Sequence, residues 1–221
     1  AKNKNNSIEP LIVPSGKSGT IDDAVYYSWL AVKKADADQY KVNGEYAIDN
    51  IVDSKFSFVS SSSTSGFKVP SNDVIAYFSQ QDQWKDLTPE DLSGRADVAA
   101  FCDTCVGNYI EIAEGEPNKA GSVYKVKADA AEPFHTVPGE EFTLINVTPV
   151  LNAPFAVNTD SLSEEDFKKI QELMTSDDIA NNEKIFVPAD AETAGLFTKS
   201  ADERFVVVED SWFDPIRELS K

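Results

Sequence analysis

Positive charge is in short supply in this chain: 20 Lys and Arg stand against 38 Asp and Glu, with one His, for a formal charge of −18 at pH 7. A nucleic-acid binder needs basic surface to displace counterions from phosphates, so this balance argues against that class of partner and against adsorption to anionic lipid. Cysteine is scarcer still, with two residues. Cys102 and Cys105 cannot build a disulfide framework, and with the distant His135 they fall short of the four ligands of a structural zinc site. No run of eighteen apolar residues occurs, so nothing reads as a membrane-spanning helix. A G-x-S-x-G elbow and a plausible His partner are missing too, which argues against serine hydrolysis. The first residues, AKNKNN, hold neither an initiator Met nor an apolar signal core and read as a mature or truncated chain.

Apolar material, by contrast, is ample. With 221 residues, 41% hydrophobic and 10% aromatic, the chain can bury a real core and hold one large domain or two small ones. No internal repeat is found. Leu11-Ile12-Val13 predicts a strand between loops, and AVYYSWLAVKK, residues 24–34, predicts a second. Residues 45–53 predict a short helix with Tyr46, Ile48 and Ile51 inward; residues 72–80 predict a helix packing through Val74, Ile75, Tyr77 and Phe78. ADVAAFCDTCVGNYIEIAEG predicts a strand Val98 to Cys102, a turn at Asp103 and a helix to about Ala113. GSVYKVKAD, EEFTLINVTPV, FAVN and RFVVVED predict further strands. The clearest helix is SLSEEDFKKIQELM, with Ser163 as N-cap, acids in its first turn, and Phe167, Ile170, Leu173 and Met174 on one face. SWFDPIRELSK predicts a closing helix with Pro215 in its first turns. Strands alternating with helices predict α/β layers with a mixed, mainly parallel sheet, which binds ligands at the carboxyl ends of its strands.

KFSFVSSSSTSGFKVPS, residues 55–71, carries the most chemistry. Phe56, Phe58 and Val59 predict a buried strand; Ser60 to Ser65 are then six small hydroxyl residues in a row, Gly66 allows a tight turn or a close approach, and Val69-Pro70-Ser71 can open a helix. A strand, a small polar loop and a helix start leave backbone N–H groups pointing at a common spot where an anion can sit against the helix dipole. The same composition also suits a solvated serine-rich loop.

Four stretches together, VYYSWLAVKK, FSFVSSSSTSGFKVP, ADVAAFCD with LNAPFAV, and the terminal EDSWFDPIREL, resemble the substrate-binding proteins of phosphate, phosphite and phosphonate ABC transporters. They stand in that family's order and reach nearly from end to end of the chain. The resemblance implies a two-lobed, type II periplasmic-binding-protein architecture, with residues 1–53 plus 148–221 as lobe one and 54–147 as lobe two. Relative to the family the first lobe starts after a βαβ portion and is expected to be truncated at its N-terminus. By the same resemblance Ser63, Thr64, Ser65 and Gly66 hold phosphoryl oxygens, Asp103 matches an aspartate after a strand of the second lobe, and Tyr27 or Tyr26 matches an aromatic of the YYS strand. An Asp before a helix is also a common N-cap. The family's Ser-His pair at a helix start has no counterpart here, and His135 lies elsewhere.

A carboxylate beside a phosphoryl group is repelled unless an oxygen between them carries a proton, so Asp103 is expected to favour a monoprotonated oxyanion over sulfate. The expected function is therefore binding and delivery, without enzymatic chemistry or a cofactor. An extracytoplasmic monomer, periplasmic or lipid-anchored, would carry a phosphorus oxyanion in the interlobe cleft and dock on a membrane permease. Two alternatives stay open: a thiol oxidoreductase working through Cys102 and Cys105 at a strand-to-helix junction, and a receptor for another small organic ligand.

Overall fold

The computed structural model describes residues 5–51, 63–89, 110–114, 119–120, 122–126, 135–138, 141–193 and 195–219. The architecture is mixed α/β built from small sheets, and the chain divides into two compact units, Ala1–Tyr26 with Leu151–Lys221, and Tyr27–Val150. The sequence places the two boundaries at 53 and 147.

The first unit is organised by β1 (Ile8–Pro14), the middle strand of a three-stranded sheet flanked by β9 (Phe155–Asn158) and β12 (Phe205–Val207). Its continuous apolar run is covered on both faces: Leu11 and Ile12 pack with Phe186 and Phe205, and Val13 with Ala24 and Val208. Pro10 sits beside a register shift against β9, where a missing N–H costs the ladder least. β10 (Phe186–Pro188) and β11 (Phe197–Lys199) form a parallel pair; their rings Phe186 and Phe197 stack on each other and both meet Phe205, which Phe155 also touches, at centroid distances between 5.0 and 5.4 Å.

Helix α2 (Glu164–Met174) covers this core. Ser163 Oγ caps it by accepting from Asp166 N at 3.1 Å, and Lys168 and Lys169 reach back one turn to Glu164 and Glu165. Phe167, Ile170 and Met174 pack inward, and Gln171 Nε2 donates to Leu11 O at 2.8 Å. Leu173, expected on the same face, is 61% exposed. At about 100° per residue it stands roughly 90° from the centre of the Phe167–Ile170–Met174 stripe. Short helices α3 (Asp177–Ala180) and α4 (Asp214–Glu218) complete the unit; α4 has Pro215 in its first turn, as expected.

The second unit contains the pairing of β2 (Val25–Lys33) with β8 (Phe142–Leu151), and α1 (Val69–Phe78). Leu30, Val32, Tyr40, Ile51, Val74, Phe78 and Ile145 share one core. The helix expected over 45–53 is instead a hairpin and a single 3-10 turn. β3 (Lys41–Val42) and β4 (Glu45–Tyr46) fold back around Asn43 and Gly44, with φ of 53° and 89°, and Asp49–Ile51 form the turn. Asn-Gly at positive φ matches the twist of a two-residue hairpin and overrides the helical reading. Tyr46, Ile48 and Ile51 still face the core.

β5 (Ile110–Glu114), β6 (Val123–Val126) and β7 (His135–Pro138) make an antiparallel sheet. The helix expected to run from Asp103 to Ala113 is thus corrected at its end: Ile110-Glu111-Ile112 alternates with the period of a strand. The mainly parallel sheet is corrected as well within the described residues. There β1–β9, β1–β12, β3–β4, β5–β6 and β6–β7 run antiparallel and β10–β11 runs parallel. The strand expected at 56–59, that at 98–102, and both cysteines lie outside the described residues.

Phe205 is the ring that Phe155, Phe186 and Phe197 all touch. Phe205→Ala is expected to cost about 3–5 kcal/mol, read as a lowered urea midpoint at unchanged slope; a loss below about 1 kcal/mol would show that this cluster does not hold the unit together.

Candidate functional site

Of the hydroxyl-rich run, Ser63 onward is described. Thr64–Lys68 form one π-helical turn that runs straight into α1. Ser63 is extended, and its Oγ accepts from Gly66 N at 3.1 Å, while Lys68 N donates to Ser63 O and Val69 N to Thr64 O. The N–H groups of Thr64 and Ser65 belong to the first turn and have no partner within the helix. Gly66 takes no left-handed φ; among the described residues positive φ is confined to Gly19, Asn43 and Gly44. Its expected tight turn is a helical one.

Pro70 explains the most unusual contact here. In the five-residue pattern of this turn the carbonyl of Ser65 would receive the N–H of residue 70, and proline has none. Val69 N is already committed to Thr64 O. The vacancy is filled from β2, where Ser28 Oγ donates to Ser65 O at 2.6 Å, both residues being 3% exposed. Ser71 Oγ donates to Phe67 O one turn on.

The turn is therefore a set of neutral donors at a helix start. Hydroxyls and amides can hold an anion without a full positive charge, and ionic acceptors strengthen each bond. Ser63 and Thr64 are half-buried and Ser65 is buried. Tyr26 and Tyr27, 38% and 49% exposed, precede Ser28 on β2; strand alternation puts Tyr26 on the face of Ser28 and Tyr27 on the other. Asp103 lies outside the described residues, and His135 enters β7.

Further along α1, Asp73 Oδ2 accepts from Thr148 Oγ1 at 2.5 Å and from Asn146 Nδ2 at 3.1 Å, both on β8. Burial pushes this carboxyl above the ordinary carboxylate range, against the two hydrogen bonds that pull it down. Tyr77 OH donates to Asp49 and ties the same helix to the 3-10 turn. Ser28, Asp73, Asn146 and Thr148 were not singled out from sequence. Ser28 left one signal: a small polar residue inside the apolar run of a strand needs a partner when buried.

An open polar cavity of about 430 Å³ in the first unit is lined by Asp177, Asn181, Lys199, Asp202 and Arg204 among others. Both cations there are engaged, Arg204 with Asp177, and Lys199 with the carbonyl of Ala180. Among the described residues no three His, Cys, Asp or Glu side chains gather as a metal site, and no helix is long and apolar enough to cross a membrane.

The chain matches one family model, described as "ABC transporter, phosphonate, periplasmic substrate-binding protein", over residues 1–213. Neither the comparison with curated proteins nor that with solved structures returns a match.

The Asp73 contacts make a stability prediction with a definite sign. A carboxyl whose folded pKa is raised binds its proton more tightly folded than unfolded, so its ionisation lowers stability as pH rises through the ordinary carboxylate range. Asp73→Asn keeps an acceptor for Thr148 and Asn146 without the charge. Its stability relative to the parent chain is expected to improve between pH 4 and pH 7 in urea titrations, whereas Asp73→Ala is expected to lose about 1–3 kcal/mol at both. A constant difference for Asp73→Asn would show that burial does not perturb this group.

Proposed function

The chain belongs to the periplasmic substrate-binding proteins of phosphonate ABC transporters, and from that premise we propose that it captures a phosphorus oxyanion at the Ser63–Gly66 turn and hands it to a membrane permease. Membership carries the substrate-binding role in transport and an extracytoplasmic location. The choice among phosphonate, phosphite and phosphate, the residues that hold the ligand, and action as a monomer without a chemical step are part of the proposal.

One observation carries the placement of the ligand: the hydroxyl turn opens α1 with first-turn N–H groups that have no helical partner, and Ser63 Oγ takes the Gly66 N–H and so keeps its own proton for an acceptor. Thr64 and Ser65 add hydroxyls to the same turn, and Gly66 adds no side chain. Tyr27 or Tyr26 would supply an aromatic wall. Asp103 would set selectivity by accepting the proton of a monoprotonated oxyanion and repelling sulfate, which has none near neutral pH.

Isothermal titration of the purified chain with methylphosphonate, phosphite, phosphate and sulfate tests this. One phosphorus ligand is expected to bind tightly and sulfate not at all. Thr64→Ala is expected to weaken that ligand about ten- to a hundredfold, the scale of a hydrogen bond to a charged group. Silence from every phosphorus ligand would overturn the reading, and equal affinity for sulfate would remove Asp103 from it.

A further inference from the structure

We propose that Ser28 is a positioning residue for the anion-binding turn, acting through the Ser65–Gly66 peptide group on the hydroxyl of Ser63; this rests on the reading of that turn as the ligand site. The contacts form one directed series. Ser28 Oγ–H donates to Ser65 O at 2.6 Å. That carbonyl and the Gly66 N–H are the two ends of a single planar peptide group, and the N–H donates to Ser63 Oγ at 3.1 Å. Ser63 Oγ, already an acceptor, keeps its own proton to donate to a ligand.

Hydrogen bonds in series polarise one another, so a donor placed on the carbonyl makes the amide a stronger donor and the next hydroxyl more acidic. The direction cannot reverse, because the amide end can only donate. Ser28 is held for this task by its place in β2, where it is 3% exposed and followed by buried Trp29 and Leu30. Its need is set by Pro70, which leaves the Ser65 carbonyl without a helical donor. Ser28 touches no ligand in this scheme; it fixes the turn and strengthens its donor.

The test uses the full chain with methylphosphonate as probe, comparing the parent, Ser28→Cys, Ser63→Ala and the double variant by titration calorimetry. Cysteine keeps the size of the side chain and offers only a weak donor. Ser28→Cys is expected to weaken binding about three- to tenfold, with a lowered melting temperature but a chain still fully folded at the temperature of the titration. In the Ser63→Ala background the same change is expected to alter affinity less than twofold, because the series is already cut. Losses that multiply independently, or a Ser28→Cys chain that binds like the parent, would overturn the proposal while leaving the phosphonate reading intact. A parent chain that binds no phosphorus ligand would remove both. A ligand-free readout separates them further: the Gly66 amide proton is expected to shift upfield by NMR in Ser28→Cys, and an unmoved resonance would sink the proposed series by itself.

Discussion

The carbonyl of Ser65 is the constraint around which the candidate site is arranged. A buried carbonyl without a donor costs about 1–3 kcal/mol, and with Pro70 lacking an N–H and Val69 N bonded to Thr64 O no helical donor serves it in this turn. Proline at that point has its own benefit, since its fixed φ suits the first turn of α1. The two demands are reconciled by a hydroxyl from another element, Ser28 of β2. As a result the turn is attached to β2 at its start, and α1 is attached to β8 by its fifth residue, Asp73, through Asn146 and Thr148. β2 and β8 pair with each other. The helix that presents the hydroxyls is thus fixed to both members of one strand pair, and its orientation follows from polar contacts as much as from the burial of Val74 and Phe78.

In an acidic chain a carboxylate beside the donors opposes an anion unless the ligand carries a proton to share with it. With a formal charge of −18 the long-range field opposes capture, so the local bonds must outweigh it. Among the described residues no carboxylate is hydrogen-bonded to Ser63–Gly66. Several acids are engaged elsewhere: Glu164 and Glu165 pair with lysines along α2, Asp210 and Asp214 with Arg217, and Asp23 accepts from Gly16 N and Ser18 N. Exposed pairs of this kind contribute little to stability. The donor set at the turn is neutral, and its strength depends on the fixed direction of each hydrogen rather than on charge.

Local pattern carried much of the fold. Leu11 to Val13 became the central strand because a continuous apolar run fits a strand covered on both faces, and the Ser163 cap with acids behind it placed α2 within a residue. Where two local signals competed, the stronger one was turn chemistry or period: Asn43-Gly44 made a hairpin of a segment read as helix, and the alternation at Ile110–Ile112 made a strand of another. Strand direction was not legible at all. Alternating elements predict parallel pairing on average, but which strands become neighbours is decided by contacts far apart in sequence, and β1 pairs with strands some 150 to 200 residues away.

The site divides along the same line. Hydroxyl side chains ahead of a helix are visible as types, because the chemistry of a helix start is local, and Ser63, Thr64, Ser65 and Gly66 are found together for that reason. Ser28 is separated from Ser65 by 37 residues, and Asp73 from Asn146 and Thr148 by 73 and 75. No periodicity reports such pairs. What the sequence does contain is the cause of one of them: a proline placed just inside a helix start, with a buried serine in a strand of aromatic and aliphatic residues. A carbonyl deprived of its donor and a hydroxyl deprived of water need each other for the same physical reason. Reading the two as one requirement, rather than as a helix signal and a strand imperfection, is the step by which the support of the turn becomes derivable from the residues themselves.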